Sequence, residues 1–363
     1  MTDEGVSEAY FRRLVDEDAL ASYLESELGP ADRFEVEHLA AGHSNETLLV
    51  TWGERDLVLR RPPPGETADR AHDVLREYRV VDALQETDVP LPRTVLAWDD
   101  HDVVGSDFYL MERLEGDVIR DEEPERFANP DAREDIAIQL VDTLAEIHTV
   151  DYEAVGLGEF GHPPGFTERQ VRRWSEQLTW AFSKAADVRE VPALYDVMEW
   201  LNDNVPEDHP VTLVHGDFKL DNVMFGRSDG PPDGSPELVG VFDWEMSTLG
   251  DPLTDLGWLL VFWRDPKDPE AVATEFEPQF TEREGYPTRL ELVERYEEWT
   301  CIEFENERFY RTLALYKLAA LGEMFFARHL AGDADDPLYP KMEERVPALA
   351  ERALETIDGE YPL

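Results

Sequence analysis

In a chain of 363 residues, the segment His215-Gly216-Asp217-Phe218-Lys219-Leu220-Asp221-Asn222, followed by Val241-Phe242-Asp243-Trp244-Glu245, restricts the possible folds more than any other stretch. Val223 to Gly226 and Glu237 to Phe242 read as two short strands joined by the turn-rich run Arg227 to Pro236. A hairpin of that kind brings together, at its open end, the residue before its first strand and the residue after its second. Those residues are Asn222 and Asp243.

The spacing H-x-D-x-x-x-x-N, with an Asp at the end of the next apolar strand, is that of a kinase catalytic loop and its metal-binding Asp. In-line phosphoryl transfer asks little covalent help of a protein. It asks for strict positioning of a hydroxyl, a triphosphate and Mg²⁺. Asp217 is placed to accept the hydrogen bond of the attacking hydroxyl, Asn222 to offer a neutral oxygen to the metal, and Asp243 to supply a charged one. Lys219 is one of only five lysines among 33 basic residues, and from two positions beyond Asp217 it can neutralise charge on the moving phosphoryl group. The alternative is a strand-turn-strand whose Asp and Asn side chains cap backbone groups and whose lysine is merely solvated.

The balance of 82 Asp and Glu against 33 Lys and Arg gives a net charge of −49, a self-repulsion that molar salt would screen. The composition therefore reads as halophilic. Disorder is the other reading of such acidity, but 42% hydrophobic content and nine tryptophans argue for a packed globule. No basic stripe offsets the charge that nucleic-acid phosphates would meet, so nucleic-acid binding is disfavoured. The single cysteine, Cys301, excludes an internal disulfide framework and a cysteine-based zinc site. No apolar run is long enough to span a bilayer and the acidic N-terminus does not read as a signal peptide, so a cytoplasmic enzyme is expected; the oligomeric state is not legible.

Leu20, Leu24 and Leu28 recur at helical spacing before Gly29-Pro30 and predict a leading helix over 18–28. Short alternating runs over 34–39, 47–52 and 57–60 predict three strands. A helix over 68–84, with Val74, Tyr78 and Val81 on one side, and strands over 94–98 and 107–111 follow. The first turn, Ala41 to Glu46, holds Gly42, Ser44 and Asn45, small and polar enough to let backbone N–H groups approach phosphates. A plain hairpin turn fits equally. Asn129-Pro130-Asp131 predicts the start of a helix carrying Ile136, Leu140, Leu144 and Ile147, with His148 structural at its end. Further helices are expected over 169–182, 291–299 and 309–330.

HGDFKLDN and FDWEMSTLGDPLTDLGW together resemble the aminoglycoside phosphotransferase and choline kinase-like family. Leu59 to Pro63, Arg76 to Val80, Phe108 to Glu112 and Val171 to Trp174 resemble the branch that includes kinase-like domains fused to acyl-CoA dehydrogenases. The resemblance runs from about residue 35 to about residue 330. It implies an α+β, bilobal protein-kinase-like fold: a nucleotide-binding lobe over 1–113, with five strands and one helix, and a larger, mainly helical catalytic and acceptor lobe over 114–363. It also implies ATP and Mg²⁺ as cofactors and a small-molecule hydroxyl as acceptor.

By the same resemblance Gly42, Ser44, Asn45, Arg60, Glu77, Glu112, Leu114 and Met224 belong to the nucleotide site, Asn222 and Asp243 to the metal, and Asp217 and Lys219 to catalysis. Glu112 and Leu114 act through their backbones on the adenine edge, and Asp255 braces the loop. Glu245, where protein kinases carry a Gly, reads either as acceptor or metal contact or as structural. Arg60 stands where the family has Lys and leaves a second reading open, that of a catalytically weak, nucleotide-binding regulatory pseudokinase. Aminoglycosides are polycations, whereas the pair Arg172-Arg173 points to an anionic acceptor such as a hydroxyacyl-CoA or another organic acid; salt bridges to Glu168 and Glu176 are the simpler account of that pair.

Overall fold

The structure is a computed structural model that describes residues 8–39, 45–64, 73–185, 188–207, 209–226, 234–332 and 336–363. The expected phosphate-loop residues Gly42 and Ser44, the first part of the helix expected over 68–84 and most of the turn 227–236 lie outside these. The chain divides into two compact units. The first runs to Gly116, beyond the expected boundary at 113, and also takes in Val155–Leu157 and Val239–Ser247; the second holds the rest.

In the first unit, α1 (Glu8–Leu14) and α2 (Glu17–Leu28) precede β1 (Phe34–Leu39), β2 (Glu46–Trp52) and β3 (Arg55–Arg61). Then come α3 (Val74–Ala83), β4 (Thr94–Trp98) and β5 (Phe108–Glu112), so the predicted order of three strands, helix and two strands is present. The sheet is antiparallel throughout, in the order β1-β2-β3-β5-β4. Asp16 starts α2 by accepting from Ala19 N (3.1 Å), and Gly29 ends it at φ 84°. Asp73 does the same for α3, accepting from Arg76 N at 2.9 Å.

Strand alternation gives this sheet two different faces. Leu48, Val50, Leu57, Leu59, Phe108 and Leu110 pack against Leu14, Leu20 and Leu24, so the leading helices cover one face. Val58, Tyr109 and Met111 pack against Val74 of α3 on the other. The adjacent arginines 60 and 61 are separated by the same alternation. Arg61, 2% exposed, reaches back to the α1 side and donates to the carbonyls of Leu14 and, at 2.7 Å, Val104. Arg60 points to the α3 face. Burying carbonyls at a helix end without such a donor is costly, which is why α1 needs Arg61.

The remaining elements are β6 (Gly116–Asp117), α4 (Pro130–Thr149), α5 (Phe166–Ala185), α6 (Ala193–Asp203), β7 (Thr212–Val214), β8 (Val223–Gly226), β9 (Leu238–Val241), β10 (Thr248–Gly250), α7 (Leu253–Val261), α8 (Arg289–Thr300), α9 (Glu307–Ala331) and α10 (Met342–Asp358). Asn129 caps α4 through Ala132 N (3.0 Å), with Pro130 in the first turn as predicted. The 25-residue α9 is buried nearly all round and forms the centre of the second unit, against α5, α7 and α10. β7 and β10 pair antiparallel, Val214 opposite Thr248, and β7 delivers the chain to His215.

Candidate active site

Immediately after β7 the chain turns sharply, with Gly216 at φ 86°, a conformation that glycine adopts without strain. The turn is held from α7. Asp255 accepts the backbone N–H of His215 at 2.6 Å and of Gly216 at 2.9 Å. His148, fully buried at the end of α4, stands behind it, with Nε2 3.3 Å from Asp255 Oδ2 and Nδ1 2.7 Å from Tyr296 Oη. Both ring nitrogens are thereby engaged, one by the carboxylate and one by the phenol. Burial alone would raise the Asp255 carboxyl, but the His148 hydrogen bond, the nearby histidines and the His215 N–H hold it below the ordinary value.

Asp217 is the group this scaffold presents. Trp258 Nε1 donates to its Oδ1 at 2.7 Å and Asn222 Nδ2 to its Oδ2 at 2.9 Å, with Lys219 Nζ 3.4 Å from Oδ2. Against the burial that would raise it, Lys219, Lys317, His215 and Asn222 lower the Asp217 carboxyl below its usual value. It is therefore a carboxylate at neutral pH, with lone pairs left to accept from a hydroxyl. The amide nitrogen of Asn222 is committed to Asp217, to its backbone oxygen (2.7 Å) as well as its side chain, which leaves the amide oxygen as the group able to bind a cation. So Asp217, Lys219 and Asn222 come together as the sequence leads one to expect. Met224 lies half-buried on β8 of the same unit.

The first unit gathers a second set. Arg60 Nη2 lies 3.3 Å from each carboxylate oxygen of Glu77 and 3.7 Å from Asp243 Oδ1, and its Nη1 donates to Thr47 Oγ1 at 3.2 Å. Burial works to lower the Arg60 guanidinium, but Glu77, Tyr109 and Asp243 outweigh it and the net shift is upward. Burial first, then Glu77, pushes the Tyr109 phenol far above its usual range, which keeps it a neutral donor. Asp243 has a left-handed backbone, φ 66° and ψ 54°, which Asp tolerates better than most side chains. Its side chain is 34% exposed, open to a partner in solution.

Asn45, at the start of β2, is 5% exposed, and neither amide atom has a hydrogen-bond partner among the described residues. Orphaned polar atoms at the predicted phosphate-binding turn fit a polar ligand there. Glu112 closes β5 with its carboxylate 3.7 Å from Arg55 Nη2, and Leu114 follows just beyond. The residues flanking the predicted hairpin stand where expected along the chain, Asn222 immediately before β8 and Asp243 two residues after β9. As donors, an amide oxygen and a carboxylate suit a hard cation such as Mg²⁺.

With this geometry in hand, a family model for phosphotransferase enzymes matches residues 35–292. The chain belongs to the phosphotransferase enzyme family. It is 32% identical over 328 residues to human acyl-CoA dehydrogenase family member 11, covering 88% of this chain and 40% of that protein, so it spans less than half of this relative's length. A solved candidate aminoglycoside phosphotransferase from Ralstonia eutropha JMP134 is 28% identical, with a TM-score of 0.78 over 95% of this chain and 98% of its own. The GDP complex of aminoglycoside 2'-phosphotransferase-IIIa shares the fold at 16% identity, with a TM-score of 0.59 over 93% of this chain and 99% of its own.

Within this family member, the cation nearest the loop that sequence reasoning missed is Lys317 of α9. Its Nζ donates to the Gly216 carbonyl at 2.6 Å. A single lysine inside a helix otherwise buried on most sides was the available signal. Arg172, by contrast, is exposed on α5, 3.9 Å from Glu176, beside an open cavity of about 520 Å³ that also takes in Glu168, Ser175, Thr179 and Asn202. Arg173 packs its guanidinium 5.3 Å from the Trp174 ring and acts on Lys317 through its charge.

Proposed function

We propose that the protein is an ATP-dependent, Mg²⁺-requiring phosphotransferase that phosphorylates a hydroxyl group on a small molecule. The observation that carries this reading is the Asp217 carboxylate, charged at neutral pH and aimed by Trp258 at 2.7 Å and Asn222 at 2.9 Å. Asp217 accepts the hydrogen bond of the attacking hydroxyl and orients its oxygen towards the γ-phosphorus. With its pKa held low, it is a weak base and takes the proton late, as suits a loose transition state. Lys219 offsets the charge on the phosphoryl oxygens. Arg60 and Asn45 serve the nucleotide phosphates. Asn222 and Asp243 are the oxygen donors for the metal, whose role when bound is to neutralise phosphate charge.

Lys219, 3.4 Å from Asp217, sets a positive charge at the loop in a chain of net charge −49, which supports an acceptor bearing an anionic group, such as a hydroxyacyl-CoA or another organic acid, over a polycation. The test is mass spectrometry of hydroxylated acids and acyl-CoAs incubated with protein, ATP and Mg²⁺ in molar KCl. Gain of one phosphoryl group on an acceptor, dependent on all three, is expected; no transfer to any hydroxyl compound would overturn the reading. The 3.7 Å approach of Arg60 to Asp243 favours one rival, a regulatory pseudokinase whose metal carboxylate is already paired with a guanidinium. That protein would bind ATP, transfer nothing and be indifferent to Asp217→Asn.

A further inference from the structure

Lys317 is 8% exposed in the middle of α9, where a leucine or methionine would fill the space without desolvating a charge. Its ammonium donates to the Gly216 carbonyl at 2.6 Å and lies 3.6 Å from the centroid of the Trp258 ring. The indole of Trp258 donates in turn to Asp217 Oδ1 at 2.7 Å. Two contacts from two helices thus converge on consecutive residues of one loop.

The approach of those helices is fixed at the position before Trp258. A Cβ on Gly257 would lie 2.8 Å from the carbonyl oxygen of Tyr310, so α7 and α9 touch backbone to backbone there and only glycine permits it. Tyr310 and Lys317 are seven residues apart on α9 and share a face. The close crossing at Gly257 therefore sets the Trp258 ring under the ammonium. A cation over an indole face is favourable, most of all when desolvated.

We propose that Lys317 and Trp258 form the positioning pair of the catalytic loop, the ammonium pinning the Gly216 carbonyl from α9 while the indole beneath it aims Asp217 from α7. This rests on the reading of Asp217 as acceptor of the hydroxyl proton. Neither residue is required to touch substrate; each acts through the loop. A displacement of the carboxylate of about 1 Å is enough to lose roughly 100-fold in rate.

The experiment compares wild type with Lys317→Met, Trp258→Phe and the double variant, each checked for folding by thermal melting, using the acceptor that emerges from the phosphorylation screen. In each single variant kcat falls roughly 100-fold while nucleotide and acceptor KM stay within about twofold. The double variant loses no more than either single one, because the pair acts as a unit. An independent readout is the ¹⁵N–¹H spectrum of indole-labelled protein, with nine tryptophans to resolve. The signal that vanishes in Trp258→Phe should shift in Lys317→Met and in Asp217→Asn. A folded Lys317→Met enzyme with wild-type kcat, additive losses in the double variant, or a Trp258 signal unmoved by Lys317→Met would each overturn the proposal. A wild type inert towards every acceptor would overturn the kinase reading instead, and the indole shift alone would then decide whether the pair is coupled to Asp217.

Discussion

Arg60 Nη2 sits 3.3 Å from both carboxylate oxygens of Glu77, a pair that ties β3 to α3 with the Glu77 side chain only 3% exposed. The planar guanidinium also spans towards Asp243, 3.7 Å away, which a compact ammonium does less readily. Arg60→Lys should keep the fold and preserve or raise phosphoryl transfer, because the lysine is the residue the family uses there. Arg60→Met should leave Glu77 buried without its partner, at a cost of about 3–5 kcal/mol, and abolish nucleotide binding. Melting curves and nucleotide titrations check both; undiminished affinity in a folded Arg60→Met protein would remove Arg60 from the nucleotide site.

Asp217→Asn keeps the size of the side chain and replaces a carboxylate with an amide that cannot take the proton. Nucleotide affinity should persist while turnover falls by roughly 10²–10⁴-fold. Comparison of isothermal titration with initial rates separates the two quantities, and equal losses in both would mean that Asp217 serves binding and not transfer.

For Asp243 the informative variant is Asn, since φ 66° would add backbone strain of about 1–2 kcal/mol to an Ala substitution and blur the result. Asp243→Asn should melt within a few degrees of wild type yet lose the Mg²⁺ dependence of nucleotide binding and the turnover with it. Full activity at unchanged folded fraction would remove the metal assignment.

Burial lowers the Lys317 ammonium from 10.5 to about 8, against the attraction of Asp217 and Asp255 and with the repulsion of Lys219 and Arg173. Its folded-state value lies below the unfolded one, so in this window the unfolded chain binds more protons and stability rises with pH. The penalty is full below about pH 8 and is relieved between pH 8 and 10.5, amounting to about 3 kcal/mol at most. Lys317→Met should therefore be more stable than wild type at pH 7, with the difference shrinking towards pH 10.5. Denaturant midpoints across that range test this, and a constant difference would show that the ammonium is not desolvated.

With a net charge of −49, compaction is opposed by self-repulsion that dilute buffer leaves unscreened over tens of ångströms and molar salt confines to about 3 Å. Melting temperature should climb steeply between dilute buffer and molar KCl, and much of the rise should appear with NaCl. A midpoint independent of ionic strength would contradict the salt-adapted reading.

The small sheet was legible almost strand for strand, because 34–39 alternates and the short apolar runs that follow are bounded by turn residues. α6 and α10 were not expected. Pro347 is the sixth residue of α10 and would read as a breaker, yet Arg189 donates to the Glu343 carbonyl that the proline leaves without its helical partner. The pairing of β7 with β10 was equally hidden, since three residues are too few to show a period.

The sequence alone determined which side chains the loop brings together, because Asp217, Lys219 and Asn222 lie within six residues and their spacing along a tight turn is a local property. It also determined the two faces of β3, which follow from alternation. Only the tertiary structure decided what holds the loop still. Asp255 reaches His215 across 40 positions, Trp258 reaches Asp217 across 41 and Lys317 reaches Gly216 across 101, contacts that leave no local period because they exist only once the helices have packed.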